Sequence, residues 1–314
     1  MNLIKKIPLP VCGVALGLAA LGNLLQSYSE GMRAACGVIA GLLLVLFLIK
    51  CLAYPKTLAD DLKSPIMASV AATFPMALML LAAYLKSVLG AAAQVLWFIA
   101  IAIHLALIVY FTIKFILKLD LSKVFASYYI VYVGIAVAGV SAPAFGQEGV
   151  GALSFWFGLI TLVILLVLVT VRYVKKPEVP APAVPLICIY AAPTSLCVAA
   201  YVQSVTPKSI GLLLVLYAVA SVLYVFALAQ AVGVLRGKFF PSWASLTFPF
   251  VISAIASKQT MACLANLGSP QAWLAPVVLV ETVIAAALVI YVLVRYVMFV
   301  RASEETSNPV TNRA

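Results

Sequence analysis

The stretch SLTFPFVISA, at Ser245–Ala254, decides the fold because it is apolar enough for a membrane interior and yet carries a proline at its centre. The same tripeptide Thr-Phe-Pro occurs earlier, at Thr73–Pro75. A proline inside a helix removes one backbone N–H and clashes with the carbonyl four residues back, so it kinks or breaks the helix. In hydrocarbon the freed carbonyl is costly unless a donor pairs with it. The repeated tripeptide therefore predicts broken helices that face protein or a water-filled cavity.

The composition predicts an all-α integral membrane protein. Of the 314 residues, 66% are hydrophobic and 9% are charged, and no soluble domain carries such a surface. A membrane-crossing helix needs about 20 apolar residues. Ten stretches approach this length: 10–28, 32–54, 65–86, 89–117, 123–143, 149–173, 182–204, 208–235, 241–262 and 271–299. The first stretch follows two lysines, as in a signal peptide, but the many later spans favour a permanent first span. We expect one domain over 1–300 and a polar cytoplasmic tail over 301–314.

The distribution of basic residues predicts the orientation in the membrane. The chain has 20 lysines and arginines against 9 acidic residues. Sixteen of the basic residues fall on the side of the N-terminus, and four, Arg33, Lys86, Lys208 and Lys258, fall on the other side. Cytoplasmic loops carry such an excess of Lys and Arg. We therefore expect a multi-pass protein of the cell membrane with both termini in the cytoplasm, and the net charge needs no nucleic-acid partner to explain it.

Helix breakers recur in every second span. Counting the spans one to ten, the odd-numbered ones carry Gly17, Pro75, Gly134, Pro193 and Pro249 near their middles. The steps between these residues are 58, 59, 59 and 56, which is the signature of an internal repeat. The repeat predicts five helical hairpins, with kinked inner odd helices around a central pore and smooth even helices outside. Gly13 and Gly17, one turn apart, either thin the pore wall or allow close contact between helices.

The polar groups of the inner helices favour an anion pathway. They are hydroxyls, namely Thr73, Ser127, Thr194, Ser195, Thr247 and Ser253, and no inner helix carries the Asp, Glu or His typical of cation or proton pathways. Lys258 lies near the far end of span nine, where it either adds positive charge to a pore mouth or anchors the helix at the interface. His104 and Glu281 lie in even helices, where packing or a hydrogen bond explains them as well as transport does. No catalytic, metal-binding or phosphate-binding motif occurs, so we expect no enzyme activity, metal or cofactor.

Four segments resemble the tellurite-resistance/dicarboxylate transporter family, which includes bacterial TehA, fungal malate and sulfite transporters and the slow anion channels of plant guard cells. They are PLPVCGVALGLAALG at 8–22, YYIVYVGIAVAGVSAP at 128–143, ICIYAAPTSLCVAAY at 187–201 and FFPSWASLTFPFVISAIASKQ at 239–259. The resemblance covers about 7–300. It implies five hairpins around a quasi-five-fold axis, a pore in each protomer and a homotrimer in the lipid bilayer.

The resemblance also implies a gate, because a phenylalanine of helix nine plugs the pore in this family and aligns with Phe248. A residue before a proline is pushed out of helical geometry, which would hold this ring at a kink. Phe74, in the other Thr-Phe-Pro, is a candidate for a second place at the constriction. The residues that we expect to line or kink the pore are Gly13, Gly17, Thr73, Phe74, Pro75, Gly134, Pro193, Thr194, Thr247 and Pro249.

Three functions fit this pattern. The first is a gated channel for small anions such as chloride or nitrate. The second is a proton-coupled transporter that exports malate or another dicarboxylate, sulfite or tellurite, and it would need a titratable group in the pathway. The third is a membrane scaffold that transports nothing.

Overall fold

The computed structural model describes residues 3–305, and the protein is helical throughout this part of the chain, with no strand. Ten helices correspond to the ten predicted spans: Val11–Leu25, Glu30–Ala53, Pro65–Leu89, Ala91–Ile116, Tyr128–Phe145, Glu148–Lys175, Ala181–Ser204, Ile210–Leu235, Pro241–Asn266 and Leu274–Glu305. We number them one to ten. Nine are long and apolar enough to cross a membrane, and helix one is shorter, at 15 residues. The predicted all-α membrane fold is confirmed.

The odd helices form the interior and the even helices form the outer layer. In helices three, five, seven and nine, 72% to 89% of the most apolar window is buried, against 22% to 39% in the five even helices. All but two of the 15 residues of helix one are buried as well. The even helices expose large apolar side chains such as Leu52, Val163 and Val222, which suits contact with lipid.

The contacts between helices follow the order of the chain. Each odd helix contacts the even helix that follows it, and it also contacts the next odd helix. Helix nine returns to contact helix one, so the odd helices close a ring of contacts. These contacts favour the arrangement of five hairpins with quasi-five-fold symmetry, which stays a prediction. In the predicted tail, helix ten continues as far as Glu305, and 306–314 lie outside the described residues.

Four odd helices are interrupted close to their predicted breakers. Helix three is interrupted at Ala72, and helix five changes to 3-10 geometry over Val133–Ala136, which contains Gly134. Helices seven and nine begin as 3-10 helices, over Ala181–Ala191 and Pro241–Leu246, before a regular second half. In helices seven and nine, proline is the second residue of the regular half, and in helix three it is the third residue. All three prolines thus lie in a first turn, where the backbone N–H groups have no helical partner.

The break in helix nine corrects one expectation. The residue outside helical geometry is Thr247, with φ −97° and ψ −88°, rather than Phe248. Phe248 is the first residue of the regular half-helix that runs to Asn266. A proline in the first turn fits a new helix, so the distortion falls on the residue before that helix begins.

Helix one has no break at Gly17, and the expectation of a kink there is wrong. The helix is regular from Val11 to Leu25. A Cβ atom added to Gly17 would lie 2.6 Å from the Cβ of Thr247, and one added to Gly13 would lie 3.2 Å from the Cβ of Ala244. Close contact between helices one and nine, the alternative left open by the sequence, therefore explains these glycines.

The hydroxyl groups near the breaks serve the backbone. They donate to carbonyls as follows: Thr73 to Val70 (2.7 Å), Thr247 to Ala244 (2.7 Å) and Gly13 (3.0 Å), and Ser195 and Ser253 to Ala191 (2.8 and 3.1 Å). Hydroxyl groups of Ser and Thr commonly donate to backbone carbonyls near breaks in membrane helices. These four hydroxyls are thus already engaged, which weakens their expected role as donors to an anion.

Candidate functional site: two cavities that meet at Phe248

The first cavity lies on the side where helix one begins, and its volume is about 280 Å³. Its lining comes from helices one, three, five, seven and nine and the segments leading into them. The wall is mostly apolar, and none of the described residues that form it carries a charged side chain. The polar side chains in the wall are Ser64, Thr73, Tyr129, Ser242 and Ser245, of which the buried Ser242 hydroxyl has no hydrogen-bond partner.

The second cavity, of about 330 Å³, lies toward the other ends of the same five helices. Its lining again comes only from the odd helices and from Gln26 at the end of helix one. In contrast to the first cavity, its wall carries a positive charge and several side-chain amides. These polar residues are Asn23, Gln26, Gln203, Lys258 and Gln259.

Phe248 and Leu196 are the residues that line both cavities. Phe248 begins the regular half of helix nine and is 6% exposed, and Leu196 of helix seven is 2% exposed. Their side chains are therefore part of the wall that separates the two cavities. Because the rest of both linings belongs to the same five helices, the two cavities follow one another along the interior of the protein.

Comparison with known proteins identifies the family of this chain. The model of a protein family described as "voltage-dependent anion channel" matches residues 6–298 of this chain. The chain belongs to this family. The family assignment made from the sequence segments is confirmed, and the members of this family are channels or transporters rather than enzymes. No curated protein matches the chain.

Five of the ten residues expected to line or kink the pore line the first cavity. They are Gly13, Thr73, Gly134, Pro193 and Pro249. Gly134 also permits a close approach, since an added Cβ would lie 2.7 Å from the sulfur of Met76. Lys258, expected at the far mouth, lines the second cavity.

The other five line neither cavity, although Pro75 and Thr247 lie at the breaks of helices three and nine. They are Gly17, Phe74, Pro75, Thr194 and Thr247. Phe74 instead packs against Phe47 of helix two, with ring centroids 5.8 Å apart, so it has no place at a second constriction between these cavities. Thr247 bonds to the backbone of helix one, and the Thr194 hydroxyl is buried without a partner. The packing between helices determines where these five side chains point, because a residue near a helix break can face either a cavity or an adjacent helix.

Sequence reasoning missed Leu196 and the amides of the second cavity. Leu196 lies one helical turn after Ala192, the first residue of its half-helix, as Ile252 lies one turn after Phe248. The repeat places Ala192, rather than Leu196, at the position equivalent to Phe248, so it gave no signal for Leu196. The amides Asn23, Gln203 and Gln259 were visible as polar residues near span ends, but only the structure brings them to the same cavity as Lys258.

The two ionisable residues that the sequence places near the middle of even helices, His104 and Glu281, lie outside both cavities. His104 is fully buried, and its Nε2 lies 2.9 Å from the carbonyl oxygen of Val131, just before the 3-10 segment of helix five. Glu281 of helix ten is 6% exposed, and its Oε2 has no hydrogen-bond partner. Within the described residues, no group of three His, Cys, Asp or Glu side chains could hold a metal ion. The position of His104 therefore indicates a structural hydrogen bond.

Replacing His104 by leucine should destabilise the protein without changing which ion it passes. The change leaves the buried Val131 carbonyl without its donor, which costs about 1–3 kcal/mol. Thermal unfolding in detergent would measure the loss, and His104→Gln, which keeps a donor, should restore part of it. A His104→Leu protein of normal stability whose reversal potential has changed would instead assign His104 to transport.

Proposed function

We propose that the protein is a gated channel for small anions such as chloride or nitrate, with a pore in each protomer. The pore runs through the two cavities and is closed where Phe248, with Leu196, separates them. The observation that supports this proposal most directly is that both cavities are lined by the same five helices and share these two side chains. A large apolar side chain across a narrow apolar passage blocks it both sterically and by excluding water.

The orientation and assembly belong to the same proposal. The excess of basic residues on the side of the N-terminus favours a cytoplasmic position for the first cavity and for both termini, in the cell membrane. The family resemblance supports a homotrimer in which every protomer, a single domain over 1–300, has its own pore. Small anions and the lipid bilayer are then the partners of the protein.

A channel fits the cavities better than a proton-coupled transporter does. Proton coupling usually uses an Asp, Glu or His in the pathway, but among the described residues none of these lines either cavity, and the charged lining residue is Lys258. His104 and Glu281 are buried elsewhere. Export of dicarboxylate, sulfite or tellurite by proton coupling is therefore the weaker proposal, and a scaffold role leaves the two aligned cavities unexplained.

Reversal potentials test this function. We expect a tenfold chloride gradient across a planar bilayer to give a reversal potential of about 59 mV, the value for a monovalent ion. The measurement is best made on the Phe248→Ala protein, which we expect to conduct. A proton gradient at equal chloride should leave the potential at zero. A shift with the proton gradient would favour the coupled transporter, and the absence of any current would favour the scaffold.

A further inference from the structure

The two cavities differ in their electrostatic character. Among the described residues that line them, Lys258 is the one with a formal charge, and it belongs to the second cavity. No acidic side chain in the lining of that cavity neutralises it. A positive charge at the edge of a low-dielectric wall attracts an anion more strongly than the same charge in water. Because of this difference, an anion would bind more favourably in the second cavity than in the first.

The ammonium group of Lys258 is held in place but not saturated. Its Nζ donates to the carbonyl of Leu24 (2.9 Å) and to the hydroxyl of Ser27 (2.6 Å), both at the end of helix one. The same Nζ lies 5.6 Å from the centre of the Tyr28 ring. A lysine ammonium has three hydrogens to donate, so two fixed bonds leave one for a ligand. Neither partner carries a negative charge, so neither neutralises the ammonium group.

Amide groups on the same wall supply further donors. The Oδ1 atom of Asn23 accepts from the Nε of Arg33 (3.5 Å), which leaves the NH2 group of Asn23 free of that bond. The Oε1 of Gln259 is buried and accepts no hydrogen bond from the described residues. Turning the amide exchanges its oxygen and NH2 group. Gln203 contributes a third amide from helix seven.

We propose that the second cavity contains a binding site for one small monovalent inorganic anion, formed by Lys258 with the amides of Asn23, Gln203 and Gln259. The proposal rests on the proposed channel function. It names the site where the transported anion binds, next to the Phe248 side chain that separates the two cavities. One positive charge with neutral donors matches a single negative charge. A dianion would remain partly uncompensated in this wall, and buried uncompensated charge is unfavourable.

Chloride binding at equilibrium tests the site without requiring conduction. The probe is the line width of the chloride NMR signal with the full chain in nanodiscs of zwitterionic lipid, and nitrate serves as competitor. We expect saturable broadening with the unmodified protein. Lys258→Gln removes a charge-assisted hydrogen bond, so it should weaken chloride binding about tenfold or more. Gln203→Leu should weaken it several-fold while leaving the contacts of Lys258 intact.

One control variant separates binding from structure. Lys208→Gln removes a lysine that belongs to neither cavity lining and whose Nζ donates to the carbonyls of Tyr201 and Val205. This variant should bind chloride as the unmodified protein does. Binding that is absent from the unmodified protein, or unchanged in a folded Lys258→Gln protein, would overturn the site. If Lys258→Gln does not fold, unchanged binding by Gln203→Leu overturns it instead.

The outcome is distinguishable from failure of the channel proposal. Chloride binding that depends on Lys258, together with no current through Phe248→Ala, would remove the channel function and leave the site. Anion current through Phe248→Ala without binding that depends on Lys258 would do the reverse. The two experiments therefore decide the two proposals separately.

Discussion

Replacing Phe248 by alanine should raise the anion current about tenfold or more, which corresponds to lowering the barrier by at least about 1.4 kcal/mol. The physical reason is the position of the ring. Phe248 lines both cavities and is 6% exposed, so truncating it joins the two spaces and lets water enter the passage. Because the ring begins a regular half-helix, its removal leaves the backbone on either side in place.

The measurement is chloride current in a voltage-clamped cell or planar bilayer, normalised to the amount of protein in the membrane. Phe250→Ala is a matched control, because Phe250 is fully buried on the same half-helix and lines neither cavity. Its ring packs against Tyr224 at 5.7 Å, so its loss should lower stability and leave the current low. An unchanged current in a folded Phe248→Ala protein would remove the gate assignment.

The equivalent positions in other inner helices explain why Phe248 has this role. In helices three, seven and nine, the regular half-helix after the break begins with a residue that lines the first cavity, and these residues are Thr73, Ala192 and Phe248. Two of them are small. Phe248 is the large one, and it alone reaches the second cavity as well. Phe248 can therefore block the passage because it is a bulky residue at a position that faces the cavities in the equivalent helices.

The sequence predicts the spans and most of the breaks, because both depend on local properties. Length and hydropathy define the helices, and Pro193 and Pro249 fall within two residues of the start of a new half-helix. The role of Phe74 was not predictable in this way. It is the second residue of its half-helix, whereas Phe248 is the first, and one residue turns a side chain by about 100° around a helix. The same tripeptide thus points in different directions.

Sequence patterns could not predict the contacts between segments that are far apart in the chain. The hydroxyl of Thr247 bonds to the carbonyl of Gly13, 234 residues away in the chain. Spacing alone made Gly17 look like a fifth breaker, although glycine in a helix also serves where two backbones approach closely. The assembly of Lys258 with Gln203 likewise needed the structure, since their helices meet only through packing.

Replacing Gly17 by alanine should destabilise the protein by about 1–3 kcal/mol, the usual cost of overpacking a tight contact. The added Cβ would lie 2.6 Å from the Cβ of Thr247 and 3.0 Å from the backbone nitrogen of Phe248. Helix one or the break in helix nine must therefore move. Because the displaced backbone carries Phe248, we also expect a higher anion current than in the unmodified protein.

Gly41→Ala is the matched control for this prediction. Gly41 lies in helix two, and an added Cβ there would meet no atom within 4 Å. Alanine is the better helix former, so this change should leave the melting temperature equal or higher, with the current unaffected. Thermal unfolding of both variants in the same detergent, with chloride current in planar bilayers, makes the comparison. Equal melting temperatures for Gly17→Ala and Gly41→Ala would show that helices one and nine are not in tight contact. The contact with helix one would then no longer explain the position of Phe248.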